Sequence, residues 1–552
     1  MEYLIYRTKI PSQYIDLQLT LEAAANETIT LQLPSWRPGR YELANYAQKL
    51  RGLYITAPSG ERVALHKVSK DRWYFSAGES GKYSIQYQFH ASQMDAGGSW
   101  SDDEQLYINF INLAFQVLGR EEEKIIIKLD LPSNYRVATA LPSSKTGKFI
   151  AEGFQHLVDS PLIASATLKH YQYQVYAHTF HLWFQGDIHF DMEELLEQFY
   201  KFTQRQIDAF GAFPAADYHF LFQLLPYPHY HGVEHQYSTV ITLGPAEDLA
   251  TKTSLDRLMG VSSHELYHFW NVCRIRPKEL LPYDFSQEAY INTGMVAEGV
   301  TTYMGDLFLW KSGYYSDEAY FAVLETLINR EFEQFGWRNQ SIAESSWDLW
   351  LDGYKAGAPH RKVSIYNRGA LLSLCIDLLL LEEGSSLSKV MKMMWQRFGQ
   401  PDKGYSLGDF QAIITEELKD NDTVRHFFDN FIFGTTDLLP YLVTQLETVG
   451  LQLEAHKMDN LASAYGIMVE ENMRVKSVHP DSPAYEVVMI GDIVKSEISE
   501  TAADQQVLEL SVFRGARPIA VELPFSTDSY FMRYQITKNT DPEKFSAWKK
   551  GI

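Results

Sequence analysis

The chain has 552 residues, 45% of them apolar and 22% charged, with a formal net charge of -21. That length is too great for one ordinary core and predicts about three or four domains. The acidic balance argues against nucleic acid or an anionic membrane as the main partner. Two cysteines, Cys273 and Cys375, cannot supply a disulfide framework, and their apolar surroundings mark them as buried thiols. The opening residues lack the basic and apolar regions of a signal peptide. The most apolar stretch, 370–381, contains Asp377 and is too short to span a bilayer. A cytoplasmic protein is the expectation.

In the first part of the chain Ile15, Leu17, Leu19 and Leu21 alternate with polar residues. So do Tyr83, Ile85, Tyr87 and Phe89, then Ile125, Ile127, Leu129 and Leu131. Period-two alternation buries one face, so residues 1–170 predict an antiparallel β-domain punctuated by turns such as Arg37-Pro38-Gly39. From residue 191 the spacing becomes helical over 192–210, and a strand-like run follows at 218–225. Further helices are predicted at 254–272, 287–309, 316–335, 366–381 and 407–418. A mixed, mostly helical domain over 171–445 is the natural parse. Short strands around Gly466 and Val475 and over 507–523 then predict a small independent β-rich module within 446–552. The fold class is therefore α+β and multidomain.

The predicted helix at 254–272 carries His264-Glu265-Leu-Tyr-His268, the HExxH pattern. Residues four apart share one helix face, so both imidazoles can hold one ion, and zinc suits neutral imidazole nitrogen. Glu265 then sits where its carboxylate reaches a water rather than the metal. Leu266, Phe269 and Trp270 imply a mostly buried helix, where two unpaired histidines would be costly. A catalytic zinc needs a third protein ligand. Glu298, a carboxylate in the otherwise apolar Met295-Val-Ala-Glu298-Gly-Val300, is the best candidate.

These residues together resemble the glycyl aminopeptidase family of gluzincin metallopeptidases, relatives of thermolysin and aminopeptidase N. The resemblance rests on His264-Glu-Leu-Tyr-His268-Phe-Trp-Asn271 with Arg274-Ile-Arg276-Pro277, and on Glu298-Gly-Val-Thr-Thr-Tyr303. It extends to Leu33-Pro-Ser-Trp36-Arg-Pro38-Gly39-Arg-Tyr41 in the β-domain. It implies a thermolysin-like catalytic domain and one zinc per chain on His264, His268 and Glu298. It also implies peptide substrates with a free amino terminus, trimmed with a preference for glycine or alanine. Gly232-Val-Glu234-His235 resembles the family's Gly-x-Glu-His segment, where an edge strand holds substrate and the glutamate binds the α-amino group. Tyr366-Asn-Arg368-Gly369 resembles a Tyr-x-Lys-Gly segment whose tyrosine stabilises the oxyanion, with Arg in place of the more usual Lys.

In the tail, Tyr465-Gly466-Ile467-Met468, Val478-His-Pro-Asp-Ser482-Pro483-Ala484 and Gly491-Asp492-Ile493 resemble PDZ landmarks. The segment 494–506 is too short for the helix that walls a PDZ groove, so a PDZ-like fold without groove binding is expected. The mechanism these readings imply is metal-assisted hydrolysis with Glu265 as general base. An endopeptidase or other hydrolase on the same zinc site, or a low-turnover zinc-containing peptide-binding scaffold, are the competing readings.

Overall fold

The alternation at the start of the chain builds three sheets in the computed structural model, which describes residues 1–144, 147–499, 507–524, 526–539 and 542–551. In the seven-stranded sheet Tyr14–Ala23 and Gly81–His90 pair antiparallel, with Ile15 opposite Phe89, Leu17 opposite Tyr87 and Leu19 opposite Ile85. All six side chains are buried in one apolar cluster, as the period predicts. One pair departs from the expected antiparallel pattern. Glu2–Tyr6 runs parallel to Ile125–Leu129, which a long connection permits and a hairpin would not.

The next unit is a five-stranded sheet in the order Lys169–Val175, His178–Gln185, Asp217–Leu224, Ser238–Gly244, His229–Glu234. Its central pairs are parallel, and His229–Glu234 forms an antiparallel edge. Helices Met192–Phe210, Lys252–Tyr267, Val300–Lys311 and Asn367–Glu382 share one large core with it.

The helix expected over 287–309 begins later, at Gly294. Residues 284–289 are drawn into other contacts instead. The Asp284 carboxylate accepts from Ser286 N and Gln287 Nε2, the Asp284 carbonyl accepts from Trp36 Nε1, and Trp350 Nε1 donates to the Ala289 carbonyl. Local side-chain bonding of this kind competes with helix.

The β-rich tail has its own small core around Ile467, Val475, Leu510, Val512 and Leu523. It is not free-standing throughout. Strands Leu451–Lys457 and Met532–Lys538 pair with each other, and Leu451, Ile536, Phe545 and Trp548 join the large helical core. Ile493–Ser499 is a strand, so no helix begins there, and 500–506 lie outside the described residues. Among the described residues no helix is long and apolar enough to cross a membrane.

Candidate metal centre and substrate cleft

The helix Lys252–Tyr267, started by Thr251 Oγ1 accepting from Ser254 N, presents His264 and His268 with their Nε2 atoms 3.1 Å apart. Glu298 lies on a π-helical turn, Met295–Gly299, leading into Val300–Lys311. Such one-turn widenings recur at functional sites because they re-aim a side chain. Its Oε2 stands 3.6 Å from His264 Nε2 and 3.4 Å from His268 Nε2. The three sequence-predicted metal residues thus converge.

Asn271 explains why they converge. Its Nδ2 donates to the Val296 carbonyl at 2.7 Å and to Thr301 Oγ1 at 2.9 Å, tying the two ligand segments together. His268 Nδ1 donates to the Asn271 carbonyl at 3.0 Å, which leaves the Nε2 lone pair facing Glu298. Arg274 holds the exit, donating to the Phe269 carbonyl at 2.6 Å and the Gln236 carbonyl at 3.1 Å. The residues after the second histidine are therefore a scaffold for the cluster.

The charges ask for a cation. Glu234, Glu265 and Glu298 are all buried, and no hydrogen bond reaches Glu265 Oε2 or Glu234 Oε1. Burial above all pushes the Glu265 carboxyl well up, with Glu234 and Glu298 adding to it against the pull of His268. Glu234 is raised by burial too. Burial opposes a charged His268, yet the Glu298 carboxylate outweighs it and lifts the imidazole to about 10. Burial likewise works against Glu298, but His268 holds it down to about 2. Ligand atoms about 2.1 Å from a tetrahedral centre stand about 3.4 Å apart, which the three observed separations match, so the donor set fits a metal ion.

Gly232 lies on the edge strand against Glu265, so close that a Cβ there would strike the carboxylate. Glu234, two residues on, meets Gly39 in the same way. Gly39 adopts φ +74°, where glycine alone is unstrained. The Arg37-Pro38-Gly39 turn, expected as punctuation and as part of the family's β-domain signature, contributes Gly39 to the wall of the cleft. Trp36 anchors it, packing edge-on against Trp350 at 5.3 Å.

Tyr366 caps the helix Asn367–Glu382 and lines the same cavity of about 920 Å³ as His264, Glu265 and Glu298. Gly369 brings this helix against Gly299 at a distance that admits no side chain on either, which places Tyr366 beside the ligand turn. Burial first, then the Glu298 carboxylate, keeps the Tyr366 phenol protonated by raising its pKa well above the usual value. Tyr354, absent from the sequence reading, lies beside Tyr366 and donates its hydroxyl to the Gly39 carbonyl at 3.4 Å. No local pattern marked it. Arg368 forms a buried ion pair with Glu331 at 2.9 Å, which fixes the helix start rather than facing the cleft. Cys273 and Cys375 are buried thiols, as expected.

Residues 2–166 match the model of the peptidase M61 N-terminal domain, and residues 257–372 match that of the M61 glycyl aminopeptidase. The crystal structure of an aminopeptidase N family protein from Idiomarina loihiensis shares the fold, with a TM-score of 0.84, 23% identity and 99% of each chain covered. An M1 zinc metallopeptidase from Deinococcus radiodurans aligns with a TM-score of 0.48 and 14% identity, over 79% of this chain and 94% of that one. No curated protein matches. With its β-domain and the helices carrying His264, His268 and Glu298 each matched to the corresponding family model, the chain belongs to the M61 glycyl aminopeptidase family.

Proposed function

We propose that this peptidase is a zinc-dependent aminopeptidase that removes single residues from peptides with a free amino terminus. The observation that carries the reading is the order of groups along the cleft. Glu234, buried and only partly satisfied, closes one end beside Gly39, one step from Glu265 and the His264–His268–Glu298 cluster.

His264, His268 and Glu298 would hold the zinc, whose chemistry there is that of a Lewis acid polarising the scissile carbonyl and acidifying water. Glu265, held against the edge strand at Gly232 beside the cluster, takes the proton from the attacking water and delivers it to the leaving amine. Tyr366, kept neutral, donates its hydroxyl to the developing oxyanion. The free side of His229–Glu234 pairs with the substrate backbone, and Glu234 receives the α-ammonium. The family's description, glycyl aminopeptidase, supports a preference for amino-terminal glycine, with alanine the next smallest residue expected to be accepted. The tail reads as a PDZ-like module that borders the cleft through Lys476 and is fixed to the catalytic unit by the bidentate Arg338–Asp481 pair.

A panel of peptides with free and acetylated amino termini tests the reading: stepwise release from the free ends supports it, and efficient internal cleavage of blocked peptides rejects it. Metal analysis should find one zinc per chain, and His264→Ala should lose it; undiminished tight zinc in that variant would place the site elsewhere. Tyr366→Phe should lower kcat with little change in KM, because the hydroxyl acts mainly in the transition state. A change confined to KM would make it a ground-state contact.

A further inference from the structure

The cleft continues beyond the reacting centre. Glu298, Thr302 and Asp306 all line it, four residues apart and so on one helical face. At 1.5 Å per residue, Asp306 lies about 12 Å along the axis from Glu298. The helix Lys252–Tyr267 runs the opposite way beside it. His264 and His268 meet Glu298, whereas Gly260 meets Asp306, whose Oδ1 would be 3.8 Å from a Cβ at that glycine. The edge strand keeps the same order, with Glu234 beside Gly39, Gly232 against Glu265, and Tyr230 beneath the Arg257 guanidinium at 4.9 Å. The cleft therefore has a direction. The amino end lies at Glu234, the chemistry at Gly232 and Glu265, and the leaving-group end at Tyr230, Gly260 and Asp306.

Asp306 is half-buried, and no described residue donates a side-chain hydrogen bond to it or forms an ion pair with it. Burial alone pushes its carboxyl up to about 7. Arg330 lines the cleft and Arg257 lies over Tyr230; both are exposed and neither pairs with it. An acid held in a cleft without a partner is costly unless a ligand satisfies it.

We propose that Asp306 forms the floor of a leaving-group subsite that selects peptides with a lysine or arginine side chain at the second or third residue. The proposal rests on the aminopeptidase reading for the direction of the chain, and its test separates the two. Matched peptides carry amino-terminal glycine and differ only in lysine, norleucine or glutamate at position two or three. For the wild type, kcat/KM for lysine should exceed that for norleucine by about tenfold at one of these positions, roughly 1.4 kcal/mol. In Asp306→Asn the ratio should fall to within about twofold of unity. Calorimetric binding of the same pairs to Glu265→Gln, with and without Asp306→Asn, gives the ratio independently of turnover. No lysine preference, a preference for glutamate, or a lysine preference that survives Asp306→Asn overturns the proposal. Internal cleavage of blocked peptides would instead overturn the aminopeptidase reading, while the lysine ratio still reports on Asp306.

Discussion

Replacing Glu265 by glutamine should lower kcat by roughly 10²-fold or more while zinc binding is retained. Glutamine is nearly isosteric, so the close approach of Gly232 and the packing around the buried side chain survive. It cannot accept a proton from water, and that function is what the substitution removes. At about 1.36 kcal/mol per tenfold, the loss corresponds to about 2.7 kcal/mol or more of transition-state stabilisation. Glu265 lies outside the His264–His268–Glu298 set, though its carboxylate also groups with Glu234 and His268, so metal content separates a chemical defect from a loss of the ion. Near-normal activity in a zinc-loaded Glu265→Gln protein would end the proposed role.

Acetylating the amino terminus of a good substrate should cut kcat/KM by a similar factor, roughly 10²-fold or more. The α-ammonium is expected to satisfy Glu234, a carboxylate already buried and raised by that burial. Breaking a buried ammonium–carboxylate contact strands a desolvated charge and costs about 3 kcal/mol. Glu234→Ala should cost about as much on free-amine substrates, and acetylation should then add little. Non-additivity of that kind marks one shared contact. If the two losses instead multiplied, the ammonium would be held by some other group.

The sequence makes the metal cluster legible because its chemistry is local. Two histidines four apart on a helix and a carboxylate in an apolar run need only the geometry of a helix to be read, and both segments carry helix up to or through these residues, although with other bounds than the period suggests. The helix at 407–418 and the long strand pair around Leu17 and Leu19 are legible for the same reason, since a period repeats over many residues. What stays hidden depends on distant chain. The late start of the helix before Glu298 follows from contacts between Asp284 and Trp36. The wall at Gly39 becomes visible only when the β-domain is docked on Glu234. Tyr354 and Asp306 carry no pattern of their own; each matters because of the surface it shares. The parallel pairing of Glu2–Tyr6 with Ile125–Leu129 likewise joins segments that no local rule connects.

The reliance on docking bears on when the enzyme becomes active. The cluster His264, His268 and Glu298 comes from neighbouring segments joined by Asn271, so it can assemble early in folding. The wall at Gly39 and the hydroxyl of Tyr366 lie far from it in either direction along the chain. Contacts between distant segments close large loops and form late. A nascent or partly refolded chain should therefore capture its zinc before it can hydrolyse a peptide, and activity should lag metal uptake on refolding. Full activity is then expected only once the β-domain wall at Gly39 and the Tyr366 hydroxyl are both in place.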